Sequence, residues 1–316
     1  MKNNDLKIIL ETRVGSHAYG TNTPESDEDF KGVAVPPLDS YLGFQNHFEQ
    51  QEETKQTTGR DRVIYNIRKF FDLATDCNPS IIEVLFCDPQ DVVLSSLEGD
   101  YIRSIGKHFL SKKAKHTYSG YAIAQLKRIR THRSWLINPP KQPPSRQDLG
   151  LPPMPEISKD EIGTINALLE QSSSYKELVP SKWMETLEKE KQYKNLTEQW
   201  KQYNNWVNTR NSARAVLEAK YGYDTKHGSH LVRLLRTGME VLQLGEIFVR
   251  RPDAAELLAI RNGAWSYDQL EAYTTLAEEK LNELYATSSL PDKPDRQFLN
   301  DKCIEIICSV LKISHI

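Results

Sequence analysis

The hydrophobic pattern changes character near residue 95. Before it, short apolar runs are separated by turn-forming residues; after it, apolar positions recur at helical spacing. Residues 7–14 (KIILETRV), rich in Ile, Leu and Val, read as a strand. The stretch GSHAYGTNTPESDED that follows is dense in Gly, Ser, Thr, Asn and Pro, the composition of a turn. DFKGVAV at 29–35 reads as a second strand, closed by Pro36-Pro37, and Arg62 to Ile64 as part of a third that begins after Gly59. Ile67, Phe70, Phe71 and Ala74 predict a helix from about Tyr65 to Thr75, broken at Asn78-Pro79. The apolar run 80–87 (SIIEVLFC) fits a helix or a strand. Helical periodicity then marks 108–131, 159–171, 181–220, 225–245, 253–262, 266–286 and 294–312. Two stretches interrupt it: the basic, Pro-rich loop 138–155 (NPPKQPPSRQDLGLPPMP) and TSSLPDKP at 287–294. No internal repeat is present. The pattern predicts an α+β chain, with a small α/β module over 1–95 and a larger all-helical domain over 96–316 that carries the loop 138–155.

Composition narrows this only slightly. A length of 316 residues suits two domains, or one with a large extension. Formal net charge is −2, so any nucleic-acid partner would have to meet a local basic patch. The four cysteines form no C-x-x-C pair, which argues against a structural zinc site and for reduced, structural thiols. The N-terminus has too short an apolar run for a signal peptide, and no stretch has the roughly 18–20 apolar residues of a membrane span. A soluble cytoplasmic protein without membrane contact is the expectation.

The chemistry concentrates in Gly15-Ser16 and, ten residues later, Asp27-Glu28-Asp29. Asp27 and Asp29 stand two apart at the start of the second strand. Period-2 geometry would put their side chains on one face, roughly 6–7 Å apart at Cα. Two carboxylates so placed repel unless a cation lies between them. Mg²⁺ takes one or two carboxylates and completes its shell with water and substrate phosphate. A glycine lets backbone N–H groups approach a phosphate closely, and the serine hydroxyl adds a donor. Each feature alone is ordinary turn chemistry; their order between two strand-like runs is what points to a site.

Gly15-Ser16 followed by Asp-x-Asp resembles the signature of the polymerase-β-type nucleotidyltransferase superfamily. The fuller string GSHAYGTNTPESDEDFKGV is similar to a narrower branch, the predicted nucleotidyltransferases of the RNA-repair-pathway DNA polymerase β family. DRVIYNIRKFFDLATDCNPSIIEVLF, KKAKHTYSGYAIAQLKRI, WLINPPKQPPSRQDLGLP and KHGSHLVRLLRTGMEVL also resemble that branch. The resemblance implies a polymerase-β-like core with a mixed sheet. It implies Mg²⁺ as cofactor, two ions with Mn²⁺ as an alternative, held by Asp27, Asp29 and a third carboxylate. Asp61, in Gly59-Arg60-Asp61, matches that third place and could accept the proton of the attacking hydroxyl; Glu53 and then Glu83 are the fallbacks. The reaction would be in-line attack on the α-phosphate of an NTP, ATP among the candidates, with pyrophosphate leaving.

Phosphates also need donors and cations. Gly15, Ser16 and Tyr19 are candidates from the turn. Lys112, His116 and Ser119 fall at i, i+4 and i+7 of a predicted helix and would share a face. On the helix 225–245, Leu231, Leu234, Leu235, Gly238 and Leu242 share one side, while Lys226, His230 and Arg233 form a polar stripe that could face the carboxylate turn. Trp135, with Arg133, Lys141 and Arg146 about the Pro-rich loop, could stack on and neutralise single-stranded RNA. The leading expectation is thus NMP transfer to an RNA terminus, tRNA in particular. The alternatives are transfer to a protein or small-molecule hydroxyl, and a non-catalytic RNA-binding module.

Overall fold

The computed structural model describes residues 6–54, 61–155, 158–171 and 181–313. Its strands are β1 (Lys7–Val14), β2 (Asp29–Val35), β3 (Gln50–Glu53), β4 (Asp61–Asn66) and β5 (Val92–Ser95). Its helices are α1 (Gly15–Tyr19), α2 (Asp39–Leu42), α3 (Ile67–Thr75), α4 (Pro79–Leu85), α5 (Leu97–Ser104), α6 (Lys113–Ile137), α7 (Lys159–Gln171), α8 (Ser181–Thr209), α9 (Ser212–Tyr221), α10 (Thr225–Leu244), α11 (Ala254–Arg261), α12 (Tyr267–Thr287) and α13 (Arg296–Leu311). This is the expected α+β class. Gly59 and Arg60, which the sequence places at the start of the third strand, lie outside the described residues.

The five strands form one mixed sheet in the order β3-β4-β2-β1-β5; β2 and β4 run parallel and the other neighbours antiparallel. Leu10 and Glu11, consecutive on β1 in regular register with β2, are both buried, so both faces of the sheet are covered there. The Arg62 guanidinium donates to both Glu11 oxygens at 2.7 Å. Asparagine caps decide two boundaries. Asn66 accepts from the Arg68 backbone N–H, so the chain stays extended through Tyr65 and Asn66 and α3 starts later than the periodicity suggests. Asn78 accepts from the Ser80 N–H with Pro79 at the first helical position, which makes the ambiguous run 80–87 helical as far as Leu85. The turn after β1 begins with the single helical turn α1, and the segment 181–220 breaks at 210–211 into two helices.

The chain divides into two compact units, Met1–Arg130 with Tyr221–Ile316, and Thr131–Lys220. The division does not fall at residue 95. The buried faces of α10–α13 belong to the same apolar core as the sheet, which joins Ile9, Leu10, Val33 and Phe70 to Tyr118, Leu231, Leu281 and Leu299. Gly238 permits the close crossing of α10 over α6, since a Cβ there would lie 2.9 Å from the Tyr118 Cβ. In the second unit, Arg146 of the Pro-rich loop makes a two-pronged ion pair with buried Glu190 (2.9 and 2.5 Å). His132, Trp135, Tyr203 and Trp206 pack ring against ring, with centroids 5.4–6.0 Å apart. Arg146 is therefore held by a carboxylate and Trp135 by other rings, rather than both standing free for bases. Among the described residues no helix is long and apolar enough to cross a membrane.

Candidate active site

Asp29 opens β2, and its Cα partner across the parallel pairing is Asp61, which opens β4. Registered neighbours on adjacent strands, roughly 4.8 Å apart, present their side chains on the same face. On the other side Asp29 pairs with Val14, the last residue of β1, and the chain then turns through Gly15 at φ +71°. A Cβ at Gly15 would stand 2.6 Å from Asp29 Oδ2, so the turn can pass this carboxylate only without a side chain. Asp27 lies just before the strand, exposed to solvent. Strand alternation therefore does not fix its direction, and the expectation of a shared strand face with Asp29 needs that correction. Its nearness registers electrostatically: burial pushes the Asp29 carboxyl above the usual aspartate range, and the charges of Asp61 and then Asp27 push it further, with Lys226 and Lys31 opposing.

Asp29 and Asp61, but not Asp27, are among the described residues that line a cleft of about 460 Å³, whose walls also include Gly15, Lys31 and, from α10, His230 and Arg233. The stripe predicted on α10 thus faces the carboxylate turn, but its members differ in state. Lys226 is exposed and acts on Asp29 through its field. Arg233 is 5% exposed and committed: it donates to Glu83 Oε1 at 2.5 Å, its guanidinium lies 3.8 Å from the Tyr19 ring centre, and its other nitrogen meets His230 Nδ1 at 3.2 Å. The Tyr19 hydroxyl donates to the other Glu83 oxygen at 2.5 Å. Burial opposes the Arg233 charge, yet Glu83 and Tyr19 more than offset it and raise its pKa. Arg233 and Tyr19, read from the sequence as phosphate ligands, both line the cleft and are joined there through Glu83 in a buried ion-pair network. A buried guanidinium needs a carboxylate partner, and Glu83, 3% exposed, supplies it.

The remaining candidates separate by position. Among the three residues weighed as third carboxylate, Asp61 is the one in register with Asp29. Glu53, on β3, accepts from Arg62 at 3.3 Å, and Glu83 is held as described. Ser16 follows Gly15 in α1 but is not among the described lining residues; its carbonyl accepts from the Thr21 N–H. Lys112 and His116 do not line the cleft either. Lys112 precedes α6, so the helical-face argument does not reach it, and its ammonium pairs with Asp292 at 3.3 Å. The His116 ring packs edge-on against Tyr285. The sequence reading missed Lys31, which lines the cleft two residues beyond Asp29 and donates to the Ser80 carbonyl at 2.8 Å. Its signal was the same alternation that was applied to Asp27. Tyr121 and Gln125, one helical turn apart on α6, were also missed as lining residues.

A mixed sheet that carries two registered aspartates at the mouth of a glycine-bordered cleft defines an α+β protein with a clustered-carboxylate site. Residues 1–136 match the model of the RNA repair pathway DNA polymerase beta family, which supports the family recognised from the motifs over that part of the chain. An uncharacterized 38.9 kDa protein in the nrdC-mobD intergenic region of Enterobacteria phage T4 is 33% identical over 128 residues, 38% of this chain and 38% of its own length. No solved structure matches.

Proposed function

We propose that this chain is a divalent-metal-dependent nucleotidyltransferase that moves NMP from an NTP to the terminal hydroxyl of an RNA. The observation that carries the reading is the registered pair Asp29 and Asp61 beside Gly15. The donor set fits Mg²⁺: the charges of Asp61 and Asp27 raise the affinity of the partly buried Asp29 carboxylate for a positive charge, and the cleft has room for phosphate oxygens and water. Asp27, Asp29 and Asp61 would hold it, and when bound it neutralises the triphosphate and polarises the α-phosphate. The chain's own groups supply the rest. Lys31 and Lys226 offset phosphate charge at the carboxylate end. The acceptor oxygen bonds to the α-phosphorus, the bond to the β-bridging oxygen breaks, pyrophosphate leaves, and the hydroxyl proton passes to the Asp61 carboxylate. RNA is favoured over other acceptors by the family's description.

The test incubates the full chain with each α-phosphate-labelled NTP and Mg²⁺, against total tRNA and against total protein. The reading expects label on RNA, lost in Asp29→Ala. Label confined to protein overturns the RNA acceptor, and no label in any pool overturns nucleotidyl transfer.

A further inference from the structure

His230 contributes a ring to the cleft wall, and the state of that ring follows from its neighbour. Its Nδ1 lies 3.2 Å from Arg233 Nη2. A guanidinium has only donors, so Nδ1 must be the acceptor and carries no proton. The ring is then neutral, and its single N–H is on Nε2, the nitrogen left for a ligand. Arg233 cannot turn away to accommodate another arrangement: one edge is held by Glu83, and its face lies on Tyr19.

Resting on the nucleotide reading above, we propose that His230 offers a fixed, neutral Nε2–H donor to a phosphate oxygen of the bound NTP, with Arg233 as the positioning residue that sets its tautomer. The groups around the ring hold it neutral. Burial disfavours the imidazolium, and so do Arg233, His227 and Lys226 on its own helix and Arg128 on α6; together they push its pKa down to about 3. Glu83, the acid of this network, is already bonded to Arg233 and Tyr19. The donor therefore persists through the pH range in which an ordinary histidine gains and loses its charge. A lone cation would draw phosphate by charge from any direction, whereas an oriented neutral N–H rewards one placement. The stripe on α10 thus divides its work: Lys226 supplies charge, His230 direction and Arg233 the support.

Nitrogen-15 NMR of the full-length chain reads the ring directly. The expected result is an unprotonated Nδ1 and a protonated Nε2 at His230 at every pH from 5 to 8. Titration of His230 near 6.5, the ordinary histidine value, or a proton on Nδ1, would overturn the assignment. Binding of Mg²⁺ with ATP, GTP, CTP and UTP tests the ligand role. His230→Phe should weaken the preferred nucleotide about tenfold or more, the loss of a hydrogen bond to a charged group. His230→Gln, whose amide N–H reaches the Nε2 position, should restore most of that loss, and His230→Asn should not. Equal binding by the three variants and the wild type overturns the phosphate contact. A wild-type chain that binds none of the four nucleotides but shows the expected ring overturns the nucleotide reading and leaves the tautomer assignment supported.

Discussion

A methyl group added at Gly15 would meet Asp29 Oδ2 at 2.6 Å, on a backbone already at φ +71°. Both faults act together in Gly15→Ala. The left-handed backbone costs about 1–2 kcal/mol for a residue with a Cβ, and the displaced carboxylate disturbs the acid cluster. We expect a lower melting temperature and at least a tenfold fall in NMP transfer, measured by calorimetry and by labelled turnover. Asp29 itself makes a counterpart prediction. Its folded carboxyl sits above the ordinary value of 3.8 because of burial, Asp61 and Asp27. As pH rises from that value through the raised one, the unfolded carboxyl ionises first, so the folded state loses stability across that window and stays disadvantaged above it. Metal-free Asp29→Asn should therefore melt higher than wild type at pH 7, with added Mg²⁺ narrowing the gap; a lower melt would contradict the repulsion. That Asp29 stands beside Gly15 was legible from the Gly-Ser and Asp-x-Asp spacing, and so was its nearness to Asp27. The commitment of Arg233 was not, because its partner Glu83 is 150 positions away in sequence.

The parallel pairing of β2 with β4 sets Asp61 beside Asp29, and the buried Glu83–Arg233 pair ties α4 to α10. Arg233→Met would leave Glu83 charged, buried and without its cation, at a cost of about 3–5 kcal/mol. Glu83→Leu combined with Arg233→Met should recover most of it in urea unfolding; no recovery would mean the two side chains contribute independently. The legibility of the elements follows their apolar content. β1, β2 and α3 bury apolar runs and could be read directly. β3 is Gln50-Gln51-Glu52-Glu53, an edge strand with no buried residue, and offered no hydrophobic signal. The run 80–87 could not be assigned by periodicity, and its helix rests on the Asn78 cap.

At the scale of the whole molecule, the helical spacing beyond residue 95 revealed helices but not the surfaces they cover. An apolar stripe such as Leu231, Leu235 and Leu242 states that α10 is covered, not that the sheet's own core covers it. The return of residues 221–316 to the sheet's unit is a long-range event with no local trace. A fragment of residues 1–95 should consequently lack a cooperative thermal transition, having lost Tyr118, Leu231, Leu281 and Leu299 from its core; a sharp melt in that fragment would contradict a shared core. The return of α10 is also what brings His230 to the cleft that Asp29 and Asp61 border. The most direct measurement is anomalous scattering from crystals grown with Mn²⁺ and a non-reactive NTP analogue. The account predicts manganese peaks bound by the carboxylates of Asp27, Asp29 and Asp61, with the triphosphate beside Gly15. Ordered nucleotide with no metal at those three side chains, or manganese held elsewhere, would contradict it.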